Sequence, residues 1–140
     1  ISINKEIKEK IINKLFNKFS FMKKIYIVYP VPEIGINLEK YNWLNKSKVV
    51  SNNNTIYEVP DFYISYESYL KRNKFIIEYF KNYSSNNSKV ENIHTDKIFC
   101  NSFKINLCAA QINNQPFYFD YDHLNSYGAS LLVKEIERYL

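Results

Sequence analysis

The chain has 140 residues, enough for one domain with a real core, and its 46% apolar and 24% charged residues are an ordinary globular balance. Only two glycines, Gly35 and Gly128, are present, so no phosphate-cradling glycine loop can be assembled, and no run of about eighteen apolar residues is available to span a membrane. The formal charge of +5 would suit nucleic acid, anionic lipid or acidic polysaccharide, but abundant Lys, Asn and Ile also fit the coding bias of an AT-rich genome. The simplest reading of the lysines is a solvated face, and no nucleic-acid partner is expected.

The chain opens at "ISINKE" with neither an initiating Met nor a leader, and reads as part of a longer polypeptide. Ile3, Ile7, Ile11, Leu15 and Phe19 recur at intervals of four, with Ile12 and Phe16 beside them. That spacing predicts an amphipathic helix; a lysine-rich one can lie on a membrane, but covering a sheet is the commoner role and is expected here. Ile25 to Tyr29 is continuously apolar, as in a strand buried on both faces of a parallel sheet, and Pro30 and Pro32 end it. Between Glu33 and Asp61 the pattern is weaker: "NLEKYNWLNKS" suggests a short helix and "SNNNT" a loop.

Ser65 to Tyr83 predicts the longest helix, with Tyr69, Ile76, Phe80 and Tyr83 on one side, and "SSNNS" ends it. "KVENIHTDKIFC" reads as a short strand and a loop, with His94 at the strand end in a structural or exposed position. "PFYF" is a last strand or extended segment. "NSYGASLLVKEIERYL" is a terminal helix with Asn125 or Ser126 as its N-cap. Thirteen Tyr and ten Phe are an unusual load. Trp43 and the Tyr-rich middle could stack on sugar rings, although packing accounts for most aromatic residues. Helices alternating with strands predict an α/β layered fold, and two or three strands are too few for a complete parallel sheet.

Of two histidines, His123 stands three residues after Asp120 and one after Asp122. In a helical turn, residues three apart share a side, so Asp120 could hold Nδ1 of His123 and leave Nε2 free to take a proton; Asp122 is the second choice of acid. A capped polar turn before a helix explains the same spacing. Cys100 and Cys108, with His94 as the nearest imidazole, make a poor zinc set, and no metal or cofactor is expected. A disulfide and two buried thiols both remain open.

"YFDYDHLNSYGASLLVKEI" resembles the last block of the SGNH hydrolase superfamily, and more closely the SGNH domain fused to membrane-bound family 3 acyltransferases, with its D-x-D-H-L-S-x-x-G-A pattern. Asp120, Asp122, His123, Leu124, Gly128 and Ala129 match, and Asn125 stands in place of the Ser. "IYIVYPVPEIG" and the two-cysteine segment "KIFCNSFKINLCAAQINNQPFYFD" extend the likeness upstream.

The resemblance implies that residues 1–140 are the C-terminal part of a three-layer α/β/α, flavodoxin-like SGNH domain whose N-terminal strands are missing. It implies that His123 is the general base for a serine and that Asp120 orients it. The serine belongs to a "GDSH"-like block, and no serine here lies in a Gly-Asp-Ser context, so the nucleophile is expected upstream of Ile1 and this chain alone is expected to be inert. The implied function is O-acyl transfer, of acetyl above all, from an acyl donor to a cell-surface polysaccharide such as lipopolysaccharide O-antigen. The implied setting is the periplasmic or extracellular face, tethered by a membrane acyltransferase domain in the parent chain. That compartment favours a Cys100–Cys108 disulfide. The alternatives are a free-standing SGNH esterase or carbohydrate deacetylase, and a non-catalytic carbohydrate-binding module of the same fold.

Overall fold

A computed structural model describes residues 4–51 and 54–140. Ile1 to Ile3 and the tip of the expected "SNNNT" loop lie outside the described residues. Helix α1 (Lys5–Asn17) starts where the Asn4 side chain accepts the Glu6 N–H, satisfying one of the donors a helix start leaves free. Strand β1 (Ile25–Val28) follows, then α2 (Leu38–Asn45). Strands β2 (Ser47–Ser51) and β3 (Asn54–Glu58) form an antiparallel hairpin, so Ser51, Asn54 and Thr55 of the expected loop are strand, because they pair across the hairpin. Strand β4 (Phe62–Ser65) runs directly into α3 (Tyr66–Ser85), capped by Ser65.

Beyond α3 come β5 (Val90–Ile93), the single turn α4 (Asp96–Phe99), β6 (Leu107–Ile112), β7 (Gln115–Pro116) and α5 (Ser126–Glu137). The fold is mixed α/β: β1 and β5 form a parallel pair, and β4, β6 and β7 form an antiparallel sheet. Strands β6 and β7 are joined through Asn113 and Asn114, with φ of 48° and 64°. Two consecutive left-handed residues are what a two-residue hairpin turn requires, and Asn tolerates that region better than most side chains. No helix among the described residues is long and apolar enough to cross a membrane.

Helix α1 does cover the parallel pair, but through Ile12 and Phe16 rather than the four-residue series. Phe16 packs with Ile27, Tyr29 and Val90, and its ring stacks on Tyr83 at 4.2 Å. Ile7, Ile11, Leu15 and Phe19 face outward. Strand β1 is correspondingly not buried on both faces: Ile27 is buried while Val28 is exposed. A second core joins Ile34, Leu38, Phe99, Ala109, Ala110, Phe117 and Tyr118 and lies beneath the segment that leads to His123.

The C-terminal ends of the parallel strands are tied together by one acceptor. The Pro30 carbonyl receives Thr95 Oγ1 at 2.5 Å and the Tyr69 hydroxyl at 3.1 Å. His94 follows β5 directly, packed on the Tyr29 ring at 4.4 Å and 3.6 Å from Asp96, in keeping with a structural position. Cys100 and Cys108 are joined by a disulfide; both are buried, and they close the loop from Asn101 to Leu107 against Tyr69. Trp43, by contrast, packs into neither core and is 69% exposed.

Candidate active site

Strand β7 delivers the chain to Phe117 and Tyr118, both buried, after which it must reverse to start α5. The reversal is built from backbone bonds. The Phe119 N–H donates to the His123 carbonyl at 2.8 Å, and the Asn125 N–H donates to the Phe117 carbonyl at 2.9 Å. The Tyr121 carbonyl at the tip accepts the N–H groups of Ile34 and Gly35, at 2.9 and 3.2 Å. The loop after β1 therefore docks on the turn that carries His123. Gly35 has φ of +69°, a region glycine enters without strain.

Asp120 organises the turn. Its Oδ1 accepts the N–H of His123 at 2.8 Å and of Asp122 at 3.1 Å, so the carboxylate folds the backbone around itself in an Asx-type turn. The same group reaches His123 Nδ1, with Oδ2 at 2.8 Å and Oδ1 at 3.0 Å. The expected pair is thus brought together, but by a side-chain-nucleated turn rather than a helical one. Asp122, the second choice of acid, joins it: its Oδ1 also lies 3.0 Å from Nδ1, because the tight turn folds both carboxylates toward one nitrogen. The His123 side chain is 75% exposed, and Nε2 has no hydrogen-bond partner among the described residues.

Electrostatics follow from this geometry. Asp120 is lowered to about 2, first by the His123 N–H and then by the Asp122 N–H, with the imidazole adding to both. The His123 pKa is raised, chiefly by its hydrogen bond to Asp120 and then by the charges of Asp120 and Asp122. An ionised acid holding Nδ1 fixes the tautomer that leaves Nε2 as the proton acceptor, and it stabilises the imidazolium formed there. One donor atom each from Asp120, Asp122 and His123 falls within 4.8 Å of the others, but the acid–imidazole contacts already engage them.

Residues after His123 hold the turn on the helix. Leu124 bridges to Tyr118 and packs on the second core. Asn125 caps α5, its Oδ1 accepting the Gly128 N–H at 2.9 Å, while its Nδ2 donates to the Pro116 carbonyl at 2.8 Å. Of the two expected caps, Asn125 and not Ser126 serves. A serine could cap here but offers no second arm. Gly128 faces the Phe117 carbonyl so closely that an added Cβ would lie 2.2 Å from that oxygen. Two features had no sequence signal: the docking of Ile34 and Gly35 on Tyr121, and the second carboxylate on Nδ1. Both depend on backbone closure between segments distant in sequence or on the exact turn shape.

A family model described as the SGNH domain (fused to AT3 domains) matches residues 5–138. No curated protein and no solved structure matches the chain. The match covers nearly all of the chain, and the chain belongs to this SGNH-domain family.

Proposed function

We propose that this SGNH-domain chain supplies the base and the acid of a Ser–His–Asp acyl-transfer centre. The observation that carries the reading is the Asp120 carboxylate 2.8 Å from Nδ1 of a His123 that leaves Nε2 free at an exposed turn. In the proposed reaction His123 Nε2 takes the proton of a serine hydroxyl as its oxygen attacks an acyl donor. The departing group takes the proton from the imidazolium, leaving acyl-serine. A sugar hydroxyl, deprotonated by the same nitrogen, then attacks the acyl-serine; the acyl–serine bond breaks, the serine oxygen takes back the proton from the imidazolium, and the sugar leaves as its acyl ester. The acyl group proposed is acetyl, and the acceptor is a cell-surface polysaccharide. Asp122 assists as a second carboxylate on Nδ1.

The serine and the oxyanion donors come from a part of the parent polypeptide outside these 140 residues, alongside an AT3 membrane domain. Two features support this. No serine here follows a Gly-Asp pair. The β1–β5 pair has no further strand on either edge among the described residues, and a groove of about 410 Å³ lined by Phe16, Phe19, Met22 and Ile25 to Ile27 runs beside β1. A parallel pair this small is normally part of a larger sheet.

The test is acetyl transfer to polysaccharide by the parent polypeptide. His123→Ala is expected to lower the rate by about four to six orders of magnitude, the scale seen when a triad base is removed. Undiminished transfer by that variant would end the proposal. Acetate released to water in preference to sugar would make the enzyme an esterase with the same catalytic pair.

A further inference from the structure

We propose that the face formed by Trp43, Leu44, Lys46, Lys48, Val50 and Tyr57 rests on an anionic lipid bilayer surface. Antiparallel pairing sets Lys48 opposite Tyr57 and Val50 opposite Thr55, and directly opposed residues share one face of a hairpin. Lys46 links this face to the end of α2: its Nζ lies 5.1 Å from the Tyr57 ring and 5.9 Å from the Trp43 ring. Trp43, Leu44, Val50 and Tyr57 are all well exposed, Trp43 the most.

The patch is held in place from beneath. Buried Gln111 donates from Nε2 to Asn42 Oδ1 at 2.9 Å and to the Pro60 carbonyl at 2.8 Å, and its Oε1 accepts from Asn42 Nδ2 at 2.6 Å. Asn114 Oδ1 accepts the Val59 N–H at 2.8 Å. The hairpin base is thereby fixed to β6 and its turn.

Charge and residue type decide the occupant. Glu58 lies opposite Ser47, on the other face of the hairpin. Glu39, one turn before Trp43, is outnumbered by Lys40, Lys46 and Lys48. Trp and Tyr seek the headgroup level of a bilayer, and lysines reach anionic phosphates. Leu44 and Val50 add aliphatic surface that a sugar hydroxyl cannot use but an acyl boundary can. The proposal stands independently of the Asp120–His123 pair.

Trp43 is the only tryptophan in the sequence, so its emission reports on this face alone. The 140-residue chain, first shown to fold by a cooperative urea transition, would be titrated with vesicles of phosphatidylglycerol and phosphatidylcholine, and with pure phosphatidylcholine vesicles. A blue shift with the anionic vesicles only is expected. Lys46→Gln with Lys48→Gln should weaken partition roughly twenty-five-fold at low salt, because each lysine near an anionic surface contributes about a factor of five. No shift with anionic vesicles, or an unchanged affinity in the double variant, would overturn the proposal. So would an equal shift with soluble polygalacturonate, which would make the face a glycan platform.

Discussion

The Asp120 carboxylate does two things with one set of atoms: it closes the turn through two backbone N–H groups and it holds the imidazole. Asp120→Asn keeps an oxygen for the backbone but loses the charge, so the turn should persist while the imidazolium loses its stabiliser. The His123 pKa, raised in the folded chain above its ordinary 6.5, should fall in that variant, as followed by NMR titration of the imidazole. The sign matters for stability. A raised histidine favours the folded state fully below pH 6.5, and that contribution disappears as pH rises through the raised value. Asp120 works the other way: its contribution is present above the ordinary 3.8 and is lost as pH falls toward about 2. A general base must be neutral to act, so acyl transfer should rise with pH through a midpoint above 6.5, and Asp120→Asn should lower both the midpoint and the rate. Gly128 meets a harder constraint. Its hydrogen faces the Phe117 carbonyl, and Gly128→Ala should destabilise the chain by about 1–3 kcal/mol as backbone shifts to admit the methyl. Urea unfolding checks this, and an unchanged midpoint would mean that α5 moves freely against β7.

At the scale of elements, the disulfide and the second core work on the same loop. Cys100 and Cys108 enclose a short segment between α4 and β6, and replacing both with Ala should cost about 2–3 kcal/mol by loop-closure entropy, read as a lower urea midpoint. Helices α1, α3 and α5, strand β1 and the Asp120–His123 turn could be read from the chain because their cues are local: apolar spacing, prolines, a capping side chain. Strand β6 could not. Its "LCAAQI" has no alternation and little β-branching, since Ala109, Ala110 and Gln111 are all buried in a central strand whose neighbours come from distant sequence. Strand β4 was hidden because it runs without a break into α3. The apolar positions of α1 pointed to the correct helix, but only Ile12 and Phe16 of them turn to the sheet: the Phe16 ring found Tyr83, and spacing alone cannot weigh that stacked contact against the outward Ile7, Ile11 and Leu15.

Across the whole molecule, the turn carrying His123 and the loop after β1 meet at the Tyr121 carbonyl, so the Asp120–His123 pair is registered against the parallel strands rather than hung on a free loop. Among the described residues those strands pair only with each other, and the groove beside β1 is bordered by the outward Phe19 and Met22. A further strand would find both backbone partners and apolar surface there. The central claim is that His123 serves a serine from outside these 140 residues. Labelling the parent polypeptide with a fluorophosphonate, which reacts with activated serines, tests it most directly. The predicted result is a single labelled serine outside residues 1–140, with labelling lost in His123→Ala. Label on a serine within this chain, or labelling that survives loss of the imidazole, would contradict it.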